Sequence, residues 1–490
     1  NPYAKYKVNL YSAYVQDEIA LGRLKLTPGI RVDYTGLPNK PAVSAQAPAG
    51  YTNDYFNNAN ISPRVGLNWD VKGDRTLVVR GGTGVFVGRI PFAWLGYAYY
   101  NDGVGFGSYD VNNVAGKNVG DVLADGAKTF AFNNGQKNLV QTDVIANGFK
   151  MPKVWRTNLA IDQTFQGYKF TVEALYTQVL TDLMFQQINF KTDVANYSYF
   201  SYDANKEMPI YNGVKINSNL SNAYALSNTD KGYRYSYTAS VNKRYPFGLD
   251  FYAAYTYGVS KDITNGIRNS MESNWQLNQS LTPNDPQLAY SNFDVRHRVI
   301  SNLTYKINKT QVGLLFNAQS GVPFTWGLVN ATLAGTPQAA GLVYIFKDLA
   351  QASTYIPTAG QAQAFMDFVN GDSYLSTRKG KFTERNGART PWMTTVDMKI
   401  VQFVGKNLQL TADIFNLGNL LNNDWGKMYF ASNTFNSTSS VGLAKTAGAF
   451  SSAGVLTDAK FSFAKPTVAP YSVDMINSKW QIQLGIRYSF

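Results

Sequence analysis

Residues 480–490 read WQIQLGIRYSF, and their pattern is the clearest indication of the fold. Trp480, Ile482, Leu484 and every second residue after them are apolar or aromatic, whereas the residues between them are polar or glycine. A period of two is typical of a β-strand with one apolar and one polar face. Aromatic residues at both ends of the apolar face are typical of a strand that crosses a lipid bilayer.

The same alternation recurs along most of the chain. Its clearest further examples are residues 24–34, 61–71, 249–259, 394–400 and 408–414. Charged side chains such as Arg31, Asp397 and Lys399 share the polar face of their segments. Because a Lys or Arg that faces lipid near the bilayer centre costs about 2–4 kcal/mol, this face is expected to line a water-filled lumen. The pattern therefore predicts an all-β fold, a transmembrane antiparallel β-barrel.

The composition fits such a barrel and argues against other classes of protein. Aromatic residues make up 14% of the 490 residues, yet no apolar run approaches the ~20 residues that a transmembrane helix needs. There is no cysteine, so the chain offers no disulfide or thiol chemistry. The formal net charge of +13 comes from dispersed basic residues, without a recognisable nucleic-acid-binding module. We therefore expect no nucleic-acid partner, and basic side chains that meet lumen water and lipopolysaccharide phosphates.

The connections between the strands alternate between short and long. Tight hairpin turns are expected at Gly22-Arg23, Lys72-Gly73-Asp74, Gln166-Gly167-Tyr168, Pro246-Phe247-Gly248, Asn308-Lys309 and Gly405-Lys406. The long connections span roughly residues 35–60, 89–151, 184–231, 261–292, 322–391 and 418–478. Short periplasmic turns and long extracellular loops produce this alternation in barrels of the bacterial outer membrane.

The strand count of this scheme is odd, at about thirteen. Bacterial single-chain barrels have an even number of strands, and an open sheet edge is not tolerated in lipid. Either strands lie outside this sequence, or one is hidden in a long connection, for example within 341–347 or 459–472. The first strand leads into a short turn, so the ascending strand before it is missing. We infer that the chain is the downstream portion of a larger barrel.

Five short motifs stand in a fixed order along the predicted strands. They are SAYVQDE at 12–18, ISPRVGL at 61–67, NFDVRHR at 292–298, DIFNLGNLLN at 413–422 and LGIRYSF at 484–490. Together they resemble the downstream barrel of TonB-dependent outer-membrane receptors, in particular the Oar-like type found in Bacteroidota. The resemblance covers nearly every strand but not the long connections.

The resemblance implies a 22-stranded barrel that is occluded by an amino-terminal plug. In that arrangement residues 1–490 form the carboxy-terminal part of the barrel domain, from about the tenth strand onward, and the plug is not in this sequence. The implied function is active uptake of a bulky nutrient, a siderophore, glycan or peptide, with TonB-derived energy and without a cofactor. The implied partners are the TonB complex acting through the plug region, the barrel-assembly machinery, outer-membrane lipid and a surface lipoprotein.

A second hypothesis keeps the barrel but not the plug. The chain would then be an outer-membrane channel or a surface adhesin. Such a self-contained barrel would require one more strand, within 341–347 or 459–472. A plug and further strands upstream of the chain would favour the receptor instead.

Two kinds of residue are candidates for the functional site. Aromatic residues in two long connections offer rigid contact area for a substrate, or pack loops together and anchor them to lipid headgroups. These are Trp94, Tyr97, Tyr99, Tyr100, Tyr197, Tyr199 and Tyr202. Arginines on the polar faces are expected to meet plug carboxylates, an anionic substrate or lumen water. These are Arg64, Arg80, Arg156, Arg234, Arg298 and Arg487. By resemblance, Tyr488 and Phe490 belong to the signal for barrel assembly.

The sequence offers little for catalysis. His297 is the only histidine, and no serine-centred motif accompanies it. On the alternation it shares a face with Val295 and Val299, toward lipid or the membrane interface. We therefore expect a structural residue and no enzyme.

No strong metal or phosphate motif is present either. With no cysteine and one histidine, a metal cluster is not expected. Asn422-Asn423-Asp424 is interpreted as a polar loop rather than a calcium site, because it lacks a ligand-spaced loop. Gly81-Gly82-Thr83-Gly84 lies inside a strand, without the following helix of a phosphate cradle, and predicts close backbone packing.

Overall fold

The computed structural model describes residues 5–45, 47–51, 59–104, 118–125, 140–192, 197–199, 205–211, 214–264, 266, 268–329, 338–432, 437–447 and 459–490. Antiparallel strands dominate these residues. None of the helices among them is long and apolar enough to cross a membrane.

Neighbouring strands form one antiparallel wall with thirteen positions in chain order. The first position is shared by β1 and β2, because both pair with β3. The wall strands are β1 Asn9–Gln16, β2 Ile19–Leu21, β3 Leu24–Gly36, β4 Ala59–Asp70, β5 Leu77–Val87, β7 Lys153–Phe165, β8 Tyr168–Gln187, β12 Tyr233–Arg244, β13 Leu249–Asp262, β15 His297–Ile307, β16 Thr310–Gln319, β22 Met393–Val404, β23 Leu408–Phe415 and β29 Gln481–Tyr488. The predicted fold class is confirmed. Within the described residues, the first and the thirteenth positions have a wall neighbour on one side only.

The remaining elements lie in the long connections. The strands are β6 Val140–Ile145, β9 Tyr197–Tyr199, β10 Pro209–Tyr211, β11 Leu220–Thr229, β14 Ala289–Tyr290, β17 Pro323–Val329, β18 Ala340–Gly341, β19 Tyr344–Ile345, β20 Lys381–Phe382, β21 Ala388–Arg389, β24 Tyr429–Phe430, β25 Thr438–Ser440, β26 Leu443–Ala447, β27 Lys460–Phe463 and β28 Ser472–Val473. The helices are α1 Phe92–Tyr100, α2 Val119–Asp125, α3 Met271–Gln276, α4 Leu349–Tyr355, α5 Gln361–Gly371 and α6 Leu417–Leu421, with a 3₁₀ turn at Leu375–Arg378.

The register separates a polar and an apolar face across the wall. In the pair β12–β13, Thr238 lies opposite Thr256, and their hydroxyl oxygens are 2.9 Å apart on the polar face. The next pair along, Tyr237 and Tyr257, lies on the other face. Many large apolar side chains of that face are exposed, and Leu484 is 77% exposed. A face of this kind suits contact with lipid hydrocarbon.

Short turns join the wall strands at one end, where the sequence predicts them. Gln166 and Gly167 have φ values of 49° and 74°, as the two central residues of a type I′ hairpin turn require. The connection between β4 and β5 is longer than predicted and spans residues 71–76. Its extra length is stabilised by the Asp70 carboxylate, which accepts from the backbone N–H groups of Gly73 at 2.8 Å and Arg75 at 3.1 Å.

At the other end, here called the mouth, the long connections fold on each other. One core joins residues of the connection 188–232 with the connections 320–392 and 416–480, and it includes Phe365 and Phe461. A second core joins the first four connections, and it includes Trp94, Tyr224 and Trp275. The connections therefore form folded structure over the wall.

The extra wall strand of the channel hypothesis does not lie in either suggested segment. In 341–347 the described strands are the end of β18 and β19, which pair with β17 and β20 of the same connection. In 459–472 the strands β27 and β28 begin, and they pair with β26 and β24. Each of the strands in these two segments is two to four residues long. Strands of this length are too short to cross a bilayer, so they cannot be wall strands.

Candidate functional site on the polar wall and the mouth

All six candidate arginines lie on the polar face of the wall. The register places them opposite polar-face residues of the neighbouring strands: Arg64 opposite Gly84, Arg80 opposite Asn68, Arg156 opposite Thr177, Arg234 opposite Thr177, Arg298 opposite Thr256 and Arg487 opposite Gln409. The six do not form one cluster, because Arg80, Arg298 and Arg487 lie in other rows of the register than Arg64, Arg156 and Arg234.

Arg80 belongs to a compensated group of charges. Its Nε lies 3.1 Å from the Asp162 carboxylate, and its Nη2 lies 3.7 Å from the Glu173 carboxylate. Lys169 is 3.8 Å from Asp162, and the Thr171 hydroxyl donates to the same carboxylate at 2.6 Å. This group links β5, β7 and β8, so its charges are committed to the wall itself.

Arg64 and Arg156 share a different environment. Their guanidinium carbons lie 5.1 Å and 5.8 Å from the centre of the same ring, Phe86. Arg156 also donates from Nε to the Thr177 hydroxyl at 3.3 Å. These contacts hold both guanidinium groups over the wall without neutralising their charge.

The glycine-rich segment packs backbone against backbone, as predicted. A Cβ atom on Gly81 would lie 2.5 Å from the Asn158 carbonyl oxygen. A Cβ atom on Gly84 would lie 2.7 Å from the Arg64 Cβ. The segment lies within β5, and its glycines leave space for the neighbouring strands.

A buried cluster of charged side chains lies where the wall meets the mouth. The Asp294 side chain is fully buried and pairs with Arg389 and, at 3.3 Å, with Arg296. Its carboxylate also accepts from the Ser260 backbone N–H at 2.6 Å. Arg389 donates in addition to the Asp294 carbonyl at 2.9 Å. The cluster thereby ties the connection 320–392 to β13 and to the segment before β15.

A second pair lies beside this cluster. Arg385 is 2% exposed and contacts the Asp262 carboxylate at 2.6 Å. Asn386 donates from Nδ2 to the Tyr290 carbonyl at 2.7 Å and to Asn292 Oδ1 at 2.6 Å. This segment, RNGAR at 385–389, was not predicted from the sequence. Its two arginines around Asn-Gly were a signal, but their partners are about a hundred residues away.

The aromatic candidates of the connection 88–152 divide between packing and exposure. Trp94 is 4% exposed, lies 5.3 Å from the Phe185 ring, and donates from its indole N–H to the Arg268 carbonyl at 2.7 Å. Tyr99 is 8% exposed and stacks on Tyr6. Protein atoms cover both rings, so the contacts that the structure shows for them are those of loop packing.

The other aromatic candidates differ from Trp94 and Tyr99 in their exposure or in how much of them the structure describes. Tyr97 is half-buried and Tyr100 is 47% exposed, so both present surface at the mouth. Tyr197 and Tyr199 lie in β9, which pairs with β10. Their side chains and Tyr202 lie outside the described residues.

A cavity of about 800 Å³ opens between the connections 320–392 and 416–480. The half-buried rings of Phe368, Tyr374 and Tyr471 line it beside Asp367 and Lys465. Aromatic faces next to charges of both signs suit an amphipathic solute. None of these residues was predicted from the sequence, because the cavity is assembled from segments that are distant in the chain.

His297 lies in a group of aromatic rings on the apolar face. Its ring is 5.4 Å from Tyr257 and 5.8 Å from Trp392, and Nδ1 is 2.8 Å from the Tyr255 hydroxyl. Such a group suits the membrane interface, where amphipathic rings anchor a barrel. Asp424 is paired with Lys427 at 2.8 Å. Among the described residues, no three His, Asp or Glu side chains are grouped to hold a metal ion.

Tyr488 and Phe490 lie at the end of the last wall strand. Tyr488 is opposite Leu408 on the apolar face, and its ring centre is 5.2 Å from that of Phe490. Tyr488 is 56% exposed. The two rings therefore form a small aromatic surface at the turn end of the wall.

Three solved structures that this chain matches are each larger than the chain. The outer membrane transporter YddB from Escherichia coli is 13% identical, with a TM-score of 0.47 over 99% of this chain and 45% of its own. The siderophore receptor PirA from Acinetobacter baumannii is 10% identical, with a TM-score of 0.44 over 99% and 46%. The FrpB iron transporter from Neisseria meningitidis is 10% identical, with a TM-score of 0.38 over 85% and 42%. The chain thus spans less than half the length of these proteins.

Family membership rests on a sequence comparison. No protein with a curated description matches the chain. A family model described as an outer membrane beta barrel domain matches residues 1–453. These residues include every wall strand except β29. The chain therefore belongs to the outer-membrane β-barrel domain family and is a protein of the bacterial outer membrane.

Proposed function

We propose that the chain is the downstream barrel part of an outer-membrane active-transport receptor. The receptor takes up a bulky nutrient, a siderophore, glycan or peptide, and the long connections form its extracellular capture surface. The TonB complex supplies the energy through a plug that completes the receptor. The chain is a transporter component and not an enzyme.

The observation that carries this proposal is the width of the wall. Its thirteen positions leave both outer strands with one wall neighbour in the described part of the chain. Because lipid does not tolerate an unpaired strand edge, both outer strands are paired in the assembled barrel. A barrel of thirteen or more strands encloses a lumen that its own side chains do not fill, so it is either a water-filled channel or a plugged transporter.

The mouth supports capture of a solute. Connections that would block or gate a simple pore are here folded around two hydrophobic cores. The Asp294 cluster fixes the base of one of them to the wall. A fixed surface with an aromatic-lined cavity is better suited to binding a solute than to letting it diffuse through unhindered.

The choice of energy source and partners rests on the resemblance of five motifs to TonB-dependent receptors. In this proposal a plug segment contacts the polar face of the wall, and the TonB complex pulls on it. The barrel-assembly machinery recognises the strand that carries Tyr488 and Phe490. A surface lipoprotein assists capture, and lipopolysaccharide surrounds the apolar face.

The proposal is tested by ligand identification and by uptake. Mass spectrometry on the natively purified full-length protein is expected to identify a bound nutrient. Uptake of that nutrient should be abolished in cells that lack TonB and restored by its return. Uptake or ion conductance that persists equally without TonB would identify a plug-less channel. Surface adhesion without any uptake would identify an adhesin.

A further inference from the structure

Three of the lumen arginines stand in one transverse row of the wall. Arg64 lies opposite Gly84, Gly84 opposite Arg156, Arg156 opposite Thr177, and Thr177 opposite Arg234. Arginine therefore alternates with a small residue across five adjacent strands. Since neighbouring strands are about 4.8 Å apart, successive arginines arise roughly 10 Å from each other. Side chains of this length can converge on one solute.

In the part of the chain that the structure describes, no carboxylate forms an ion pair with an arginine of this row, and the Asp182 carboxylate acts on Arg234 only from farther away. Arg31, Arg80, Arg244, Arg296, Arg378, Arg385 and Arg389 each form an ion pair, whereas Arg64, Arg156 and Arg234 form none. One hydrogen bond, from Arg156 to Thr177, is the only one from these three guanidinium groups to a described side chain. Most of their N–H donors thus face the lumen, where like charges repel unless an anion lies between them.

The surroundings of the row keep the guanidinium groups accessible and in place. Gly84 has no side chain to fill the gap between Arg64 and Arg156, and a Cβ there would press on Arg64 at 2.7 Å. Phe86 contacts both guanidinium groups through its ring. Cation–π contacts of this kind restrict the conformations of an arginine side chain but leave its edge N–H groups free to donate.

We propose that this row is an oxyanion-binding site on the lumen wall, with Phe86 as a positioning residue. It takes a solute that carries two or more phosphate or carboxylate groups, which guanidinium groups bind through paired, charge-assisted hydrogen bonds. As the class of the transported solute, this inference rests on the proposed transport function. Binding itself does not depend on transport.

Isothermal titration calorimetry tests the site on the full-length protein in a non-ionic detergent, with sodium tripolyphosphate as the probe. The double variant Arg64→Gln/Arg156→Gln is expected to weaken binding by roughly tenfold or more, because it removes two charge-assisted contacts. The matched double variant Arg23→Gln/Arg244→Gln removes the same two charges at the turn end. It should change the affinity by less than about twofold, since screening in salt is strong over that distance. Heat-modifiable gel mobility verifies that each variant is folded.

Phe86→Leu separates positioning from charge. It retains every arginine, so the salt dependence of binding should keep its slope while affinity falls by roughly threefold. Unchanged affinity would remove the positioning role of Phe86. Equal losses in the row and turn-end variants, or no binding of tripolyphosphate to the full-length protein, would overturn the site. Binding that depends on the row in a protein without TonB-dependent uptake would instead overturn the proposed function alone.

Discussion

The wall and the mouth of this protein place their apolar side chains in opposite environments. On the wall, apolar side chains such as Leu484 and Ile486 are 77% and 78% exposed, because lipid and not protein covers them. At the mouth, Trp275 and Phe365 are almost fully buried, as in a water-soluble domain. The hydrophobicity of a segment therefore indicates its structure only together with the solvent that the segment meets. The wall depends on hydrocarbon and its hydrogen-bond ladder, and the mouth on its own cores and ion pairs.

The largest expected effect concerns the lipid-facing end of the wall. Replacing both Tyr488 and Phe490 with Asp places two charges on the aromatic surface and should lower the amount of folded barrel by roughly tenfold. Heat-modifiable gel mobility of membrane fractions measures the folded amount. Gln483→Asp puts a charge on the polar face of the same strand and should leave it almost unchanged. Equal yields for all three proteins would contradict an assembly role for the aromatic pair.

The next effect should be confined to the mouth. Asp294→Asn leaves Arg296 and Arg389 without their buried counter-charge, which typically costs about 3–5 kcal/mol. Hydrogen exchange at residues 385–390 should accelerate, while the ladder of β22 and β23 stays protected. The control is Asp285→Asn, which removes the exposed partner of Lys231, a pair 2.5 Å apart, and should have little effect. Acceleration throughout the wall would show that mouth and wall are not separate cooperative units.

A pH dependence should distinguish the two regions further. In β6, burial raises the pKa of the Asp143 carboxyl to about 7, despite hydrogen bonds from Asn101 and Gln141. Glu272 and Tyr224 also face this group. Because the folded pKa lies above the ordinary value, an unfolded mouth would lose this proton first as the pH rises. Stability of the mouth should therefore be complete near pH 4 and fall by up to about 1.4 kcal/mol per pH unit until pH 7.

Hydrogen exchange of the β6 and β11 amides at pH 5 and pH 8 measures this loss, after correction for intrinsic exchange. Asp143→Asn cannot ionise and should abolish the difference between the two pH values. The wall amides of β15 and β16 serve as the internal reference. A mouth that exchanges equally at both pH values in the unsubstituted protein would refute a buried, protonated Asp143.

The smallest effect should come from the aromatic group on the apolar face. His297→Phe keeps a ring beside Tyr257 and Trp392 and should alter thermal stability by less than about 1 kcal/mol, because aromatic pairs contribute on that scale. Uptake of the identified nutrient should also be unchanged. Loss of uptake in a folded His297→Phe protein would give this histidine a functional role that its surroundings do not explain.

The sequence predicted the wall far better than the mouth, for a physical reason. In the wall, lipid on one side and water on the other impose a period of two on each strand, so local residues determine local structure. At the mouth, strands such as β19 and β28 have two residues each, and no period exists over so short a length. The parallel pairing of β6 with β11 joins segments about eighty residues apart. The burial of Trp94 also depends on residues that are distant in the chain, Phe185 and Arg268.

The first core of the mouth has an immunological consequence. It is assembled from connections that are separated by a wall hairpin, with Phe365 of one packed on Phe463 of another, 5.4 Å between ring centres. The outer surface above that core consequently presents residues from several loops as one continuous patch. Antibodies raised against the folded protein should bind discontinuous epitopes on this patch, and a linear peptide from a single loop should be a poor immunogen against intact cells.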